Sequence, residues 1–133
     1  MSGRVAYLDT SAFVKLIVAE PESVELRRFI ARWPERGAAA LLRTEAVRVL
    51  RRAGHEHLLG ATRRLLATVR LIRLDEPLLD RAAELQPREL RTLDAVHLAA
   101  ALALGSDLGV VVTYDARLAS AALETGLLVA SPT

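Results

Sequence analysis

The chain has no cysteine and only one lysine. Without cysteine there is no disulfide, no thiolate nucleophile and no thiolate metal ligand. That absence fits a reducing compartment, so the cytoplasm is the expected location. No apolar run approaches the roughly 20 residues that span a bilayer, and no membrane anchor is expected. The opening MSGRVAYLDT carries no long apolar segment followed by a small-residue cleavage site, so it does not read as a secretion signal. GxGxxG and GxxxxGK(S/T) are both missing, which leaves nucleotide-binding loops unsupported. There is no GxSxG, so the hydrolase elbow is absent as well. Phosphatases that attack with a first-strand Asp usually carry a second Asp two residues on; Ser11 stands there instead.

What is present is enough apolar material for a core. Hydrophobic residues make up 52% of 133 residues, which suits one domain over 1–133. The net charge of +2 conceals an asymmetry. From Arg27 to Arg73 there are twelve Arg and three Glu, a net of +9; the rest carries six basic and thirteen acidic residues, a net of −7. A basic middle fits a phosphate backbone or an acidic partner. Spacings such as RRFIAR and RVLRR equally suit the solvated outer faces of amphipathic helices.

Residues 4–8 read as a short buried strand, 11–18 as a helix, and 23–33 as a helix with apolar positions near the helical period. Pro34 and Gly37 read as breaks, and 38–42 as a weak second strand. Helices are expected over 44–54, 57–69, 76–85, 93–104 and 115–126, and strands over 71–74, 109–114 and 127–132. Strands and helices alternate throughout, so the fold class is α/β. The expected architecture is three α/β/α layers around a central, mostly parallel sheet of about five short strands.

Four acids stand at element boundaries. Asp9 and Asp115 each follow an apolar strand, Glu45 follows AAALLRT, and Asp94 opens the apolar helix 93–104. Each would serve as a helix cap or a first-turn acid, worth roughly 0.3–1 kcal/mol. Yet in a parallel sheet all strand-to-helix turns lie on one edge, where ligands bind. Carboxylates crowded there repel unless some stay protonated or a divalent cation joins them. A hard ion such as Mg2+ or Mn2+ takes oxygen ligands and keeps waters. In LDAVHLAAALAL the only polar side chains are Asp94 and His97, three apart on one face. His97 is expected as a hydrogen-bonded core residue rather than a ligand, and His55 and His57 as loop residues. Thr10 or Ser11 is a competent N-cap, which would leave Asp9 free to point into the crevice. Asp107 precedes its strand and belongs on the opposite edge.

The segments YLDTSAFVKL, TEAVRVLRR, LRTLDAVHLAAAL and VVVTYDARLASAALETGLLV, in this order and spacing, resemble the PIN-domain proteins. Most similar are the VapC-type toxins of toxin–antitoxin pairs. The resemblance covers roughly residues 4–132. It implies an α/β/α domain that acts as a Mg2+- or Mn2+-dependent endoribonuclease on RNA. It places the acidic cluster at Asp9, Glu45, Asp94 and Asp115. Asp9, Asp94 and Asp115 are the expected metal ligands, direct or through water, and Glu45 is either a ligand or the group that orients the attacking water. The resemblance sets hydroxyls beside the cluster at Ser11, with Thr10 adjacent, and at Thr113. It also implies a homodimer inhibited by a small VapB-type antitoxin. Arg91 and Arg117 are candidate contacts to RNA phosphates. Apolar faces between Ala12 and about Leu66, carrying Phe13, Phe29, Ile30 and Trp33, should be mostly core, any exposed part being a groove for an antitoxin helix. Two other readings stand beside this one: a PIN-like module that binds RNA or protein without cutting, and a metal-dependent phosphatase.

Overall fold

The run Val5-Ala6-Tyr7-Leu8 forms strand β1 (Val5–Leu8), and all four residues are buried. A strand this apolar with no polar alternation needs cover on both faces. The structure, a computed structural model that describes residues 2–133, supplies it. The other strands are β2 (Glu35–Ala39), β3 (Arg70–Ile72), β4 (Leu108–Val112) and β5 (Val129–Ala130). They form one sheet in the order β3-β2-β1-β4-β5, parallel at every pairing.

Among the described residues seven α-helices cover the sheet: α1 (Thr10–Lys15), α2 (Ser23–Ile30), α3 (Leu42–Arg52), α4 (Leu59–Leu66), α5 (Glu76–Glu84), α6 (Thr92–Ala103) and α7 (Ala116–Glu124). Strand side chains alternate between two layers. Ala6, Leu8, Ala38, Val110 and Val112 face the layer of α1–α4, meeting Phe13, Leu26, Ile30, Leu42, Ala46 and Leu66. Val5, Tyr7, Ala39 and Val111 face α5 and α6. Leu118, Ala121 and Ala122 of α7 then pack on Leu98 of α6. Helix α6 is the central one, with an unbroken buried run from Ala95 to Ala101. Its alanines let it lie close to the sheet.

The chain lays down β1, β2 and β3 in one direction, then returns to the far side of β1 for β4 and β5. The reversal falls between β1 and β4, and in open parallel sheets the ligand crevice lies outside the strand ends at such a point.

Element bounds differ from expectation in ways that packing explains. The second strand is Glu35–Ala39, not 38–42, and helix α3 starts at Leu42. Gly37 is therefore inside a strand rather than a break. A β-carbon there would stand 3.0 Å from Val5 Cγ1 and 3.4 Å from Leu104 Cδ1, so glycine leaves room for these two side chains to pack against β2. The last strand shortens to Val129–Ala130 and the first helix to Thr10–Lys15. Asp107 lies at the amino edge as expected, 3.4 Å from Arg70 at the start of β3. Among the described residues no helix is long and apolar enough to cross a membrane.

Gly109 in β4 is the tightest point. A β-carbon would collide with the Trp33 ring and lie 2.6 Å from the Gly3 carbonyl oxygen. Neither a packed indole nor backbone can move aside cheaply. Gly109→Ala is expected to destabilise the fold by about 1–3 kcal/mol, the usual cost of overpacking. Urea denaturation measures this; an unchanged midpoint would contradict the packing described.

Candidate active site

Asp9 leaves β1 at its carboxyl end and sits 5% exposed at the start of α1. It is itself the N-cap of that helix, since Oδ1 accepts from the Ala12 amide at 3.0 Å. The expectation that Thr10 or Ser11 would cap the helix is corrected here. The physical reason lies with Ser11, whose hydroxyl donates to Asp9 Oδ1 at 2.7 Å while accepting the Tyr114 amide at 2.9 Å. Thr113, at the end of β4, donates to Asp9 Oδ2 at 2.6 Å and accepts the Asp115 amide at 3.0 Å. Two hydroxyls thus tie the acid after β1 to the acid after β4, across the point where strand order reverses.

Asp115 caps α7, its Oδ1 accepting the amides of Arg117 at 2.8 Å and Leu118 at 3.2 Å. Asp94 lies in the first turn of α6. Glu45 lies in the first turn of α3, reached one helical turn beyond the end of β2. Thr10 donates to its Oε1 at 2.6 Å, and His97 Nε2 lies 2.8 Å from the same oxygen. All four acids line one cleft of about 390 Å3, together with Thr10, Ser11, Arg91 and His97. Arg91 stands in its wall; Arg117 lies outside, in a neighbouring depression that Arg91 also borders.

Two further residues complete the site: Thr10, expected beside the cluster but in another role, and Tyr7, which the sequence did not single out. Thr10 holds Glu45 rather than capping a helix. Tyr7 is fully buried, and its hydroxyl meets His97 Nδ1 at 2.7 Å and the Ala39 amide at 3.2 Å. A tyrosine in an otherwise apolar buried strand needs a partner for its hydroxyl. That need was the available signal, but not which residue would meet it.

Electrostatics follows from this arrangement. Burial raises the Asp9 pKa above its ordinary value, against the pull of the bonds from Thr113, Ser11 and Ala12. Asp94 is raised by desolvation and then by the neighbouring charge of Asp115, with Asp9 adding to it. Desolvation pushes Glu45 up too, but the bonds from His97 and Thr10 outweigh it and leave its pKa lowered. Burial raises Tyr7 well above 10.0, keeping its hydroxyl protonated.

The donors in the cleft are mainly carboxylate oxygens, the set a hard divalent ion takes. Among the described residues no three acids or histidines converge closely enough to enclose an ion as they stand. Mg2+ uses only one or two carboxylates and keeps several waters, so an open set is compatible with it. The mutual repulsion that raises Asp94 is what a cation would relieve. The residues therefore fit such an ion.

A five-stranded parallel sheet with acids gathered at its carboxyl edge is the frame of a PIN domain, and the PIN domain family model matches residues 6–124. The chain belongs to that family. Within it the relatives are VapC ribonucleases. Ribonuclease VapC46 of Mycobacterium tuberculosis is 50% identical over 126 residues, covering 95% of this chain and 96% of that protein. Ribonuclease VapC47 of the same species is 41% identical over 130 residues, with the same two coverages. The crystal structure of M. tuberculosis VapC20, described as a Sarcin-Ricin loop cleaving toxin, shares the fold. It matches with TM-score 0.74 at 19% identity over 96% of this chain and 99% of that one. A toxin–antitoxin complex from Klebsiella pneumoniae matches with TM-score 0.66 at 22% identity, over 83% and 86% of the two chains.

The pKa directions carry a stability consequence. A carboxyl whose folded pKa is raised contributes fully below its unfolded value and loses that contribution as pH rises through the folded one. Asp9 and Asp94, ordinarily near 3.8, are of this kind. Glu45 runs oppositely: its contribution is present above 4.5 and lost as pH falls through its lowered folded pKa. Asp9→Asn keeps the Oδ1 cap and removes the buried charge, but it sets an amide donor against the Thr113 hydroxyl and so loses the bond at Oδ2. The variant's urea midpoint relative to the parent should therefore be more favourable in metal-free buffer at pH 8 than at pH 3, where the parent's Asp9 is also neutral. A difference between the two proteins that does not change with pH would contradict the account of Asp9 as a charge held at a cost.

Proposed function

We propose that this chain is the toxin of a toxin–antitoxin pair, an endoribonuclease that hydrolyses RNA phosphodiester bonds with Mg2+ or Mn2+. The observation that carries this reading is the convergence of Asp9, Glu45, Asp94 and Asp115 on one cleft at the strand-order reversal. Asp9, Asp94 and Asp115 would hold the ion, and two of them have a geometric reason to do so. Asp9 and Asp115 each give Oδ1 to a helix cap, which fixes the carboxylate; Oδ2 of Asp9 accepts the Thr113 hydroxyl and keeps a second lone pair for an ion. A bound divalent cation supplies a water of lowered pKa and neutralises charge on the phosphate.

The chain's own groups do the positioning. Ser11 and Thr113 hold Asp9. Glu45, gripped at Oε1 by Thr10 and His97, has Oε2 left to orient the attacking water. Arg91 in the wall of the cleft suits a substrate phosphate, and Arg117 a phosphate further along the strand. Exposed arginines elsewhere add to the positive charge: Arg48 and Arg52 follow Glu45 on α3 at helical spacing and line a depression with Arg51, and Arg63 and Arg64 stand exposed on α4. Unpaired RNA fits best, because bases are readable where they are unstacked.

The partner is a cognate antitoxin of the VapB type, and the assembly a homodimer. Phe13 and Ile30 are core, while Phe29 and Trp33 remain half-buried on the α1–α4 layer, where an apolar helix would seat.

A non-catalytic binder gains nothing from a cleft of acids facing RNA, and a phosphatase would turn over small phosphate esters instead. The deciding assay incubates pure protein with structured RNAs in Mg2+, Mn2+ or EDTA. Internal cleavage is expected with either metal and none with EDTA. Asp94→Asn should lose activity on the order of 10²-fold or more, beyond the 10–100-fold typical of groups that only support a ligand. RNA left intact in both metals, or cut equally by the Asn variant, would end the nuclease reading.

A further inference from the structure

Behind Glu45 runs a line of buried hydrogen bonds that the acidic cluster alone does not require. It begins at the backbone of β2. The ladder between β1 and β2 runs from Val5↔Glu35 to Tyr7↔Gly37. Beyond it the Ala39 amide turns to the Tyr7 hydroxyl at 3.2 Å. Tyr7 meets His97 Nδ1 at 2.7 Å, and His97 Nε2 meets Glu45 Oε1 at 2.8 Å. Tyr7 is fully buried and His97 4% exposed, so water does not compete for either. Their rings stack edge to face, centroids 6.0 Å apart and planes at 77°.

The proton positions along this line are dictated by its first member. The Ala39 N–H can only donate, so the Tyr7 oxygen accepts from it. The one Tyr7 hydroxyl proton is then available for His97, which makes Nδ1 an acceptor. The ring proton of the neutral imidazole must therefore sit on Nε2, aimed at Glu45 Oε1. Were it on Nδ1, the Tyr7 proton would be stranded in the core and two lone pairs would face each other at Glu45. Fixing the tautomer through the far ring nitrogen is how an orienting group acts through histidine.

We propose that Tyr7 and His97 are positioning residues for the proposed nuclease reaction, a backbone-anchored line that holds Glu45 Oε1 and so aims Oε2 at the attacking water. Thr10, at the start of α1, grips the same oxygen at 2.6 Å. With Oε1 held from α1 and from α6, the carboxylate of a flexible side chain cannot swing. Neither Tyr7 nor His97 touches substrate in this scheme; both act through Glu45. The inference rests on the nuclease reading above.

The test has a structural arm and a kinetic arm. Nitrogen-15 NMR of the metal-free protein reads the His97 tautomer directly. The expected result is a proton on Nε2 and none on Nδ1, with that preference lost in Tyr7→Phe. The kinetic arm uses a randomised-sequence RNA oligonucleotide carrying a fluorophore and quencher, in Mn2+. His97→Leu and Tyr7→Phe should lower kcat by about 10–100-fold, the range for groups that orient a ligand, with KM little changed. His97→Gln, which can donate to Glu45 and accept from Tyr7, should recover most of the loss and guards against variants that fail to fold. On a Glu45→Gln background, His97→Leu should cost little more. A proton on Nδ1 in the parent, losses confined to KM, or full additivity with Glu45→Gln would overturn the proposal alone. A parent with the expected tautomer that cuts no RNA would instead remove the nuclease reading, and this proposal with it.

Discussion

The bond from Thr113 to Asp9 is the constraint on which the site depends. It joins the ends of β1 and β4, residues 104 apart in sequence, at the reversal of strand order. Thr113 is fully buried, and its single hydroxyl also takes the Asp115 amide. One side chain therefore ties the carboxylate of the acid after β1 to the backbone of the acid after β4. Ser11 repeats the tie from the other direction, linking Asp9 to the Tyr114 amide. The sheet could form without these hydroxyls, but the acids would then be placed only by two separate loops.

On the proposed function the same carboxylates serve structure and chemistry at once. Asp9 and Asp115 cap helices with one oxygen, which satisfies amides that would otherwise lack partners. Helix N-termini also favour the negative charge. Against this stand burial, which lifts Asp9, and repulsion, which helps lift Asp94. The site accordingly stores unfavourable charge that a cation can discharge. Such a cost is expected where a fold is shaped for binding rather than for its own stability. Cap and ligand are not exclusive roles for Asp9, because a carboxylate has two oxygens and about four lone-pair sites.

How much of this the sequence could reveal depended on the range of the interaction. Strand β4 was legible because GVVV has strong strand preference, and α6 because its apolar run has helix length. Asp9 and Asp115 were legible as neighbours because a parallel sheet puts every strand-to-helix turn on one edge, and Asp94 because it opens an otherwise apolar helix; Glu45, inside α3, rested chiefly on the family resemblance. Strand β2 was not, since ERGAA has little intrinsic strand preference and Gly37 looks like a break. Only its packing against Val5 and Leu104 shows why glycine is there. The N-cap of α1 was misplaced because Asp, Thr and Ser are near-equal caps, and the choice was made by Tyr114, about a hundred residues away. Tyr7 read as one more apolar strand residue for the same reason: its partner, His97, lies 90 positions along the chain.

The central claim is that Asp9, Asp94 and Asp115 are held apart and charged in order to share a cation. Anomalous diffraction from crystals soaked in Mn2+ addresses this most directly. The account predicts a strong peak in the cleft among those three carboxylates, within coordinating reach of Asp9 Oδ2. A cleft with no peak at saturating Mn2+, or a peak seated elsewhere on the molecule, would contradict it.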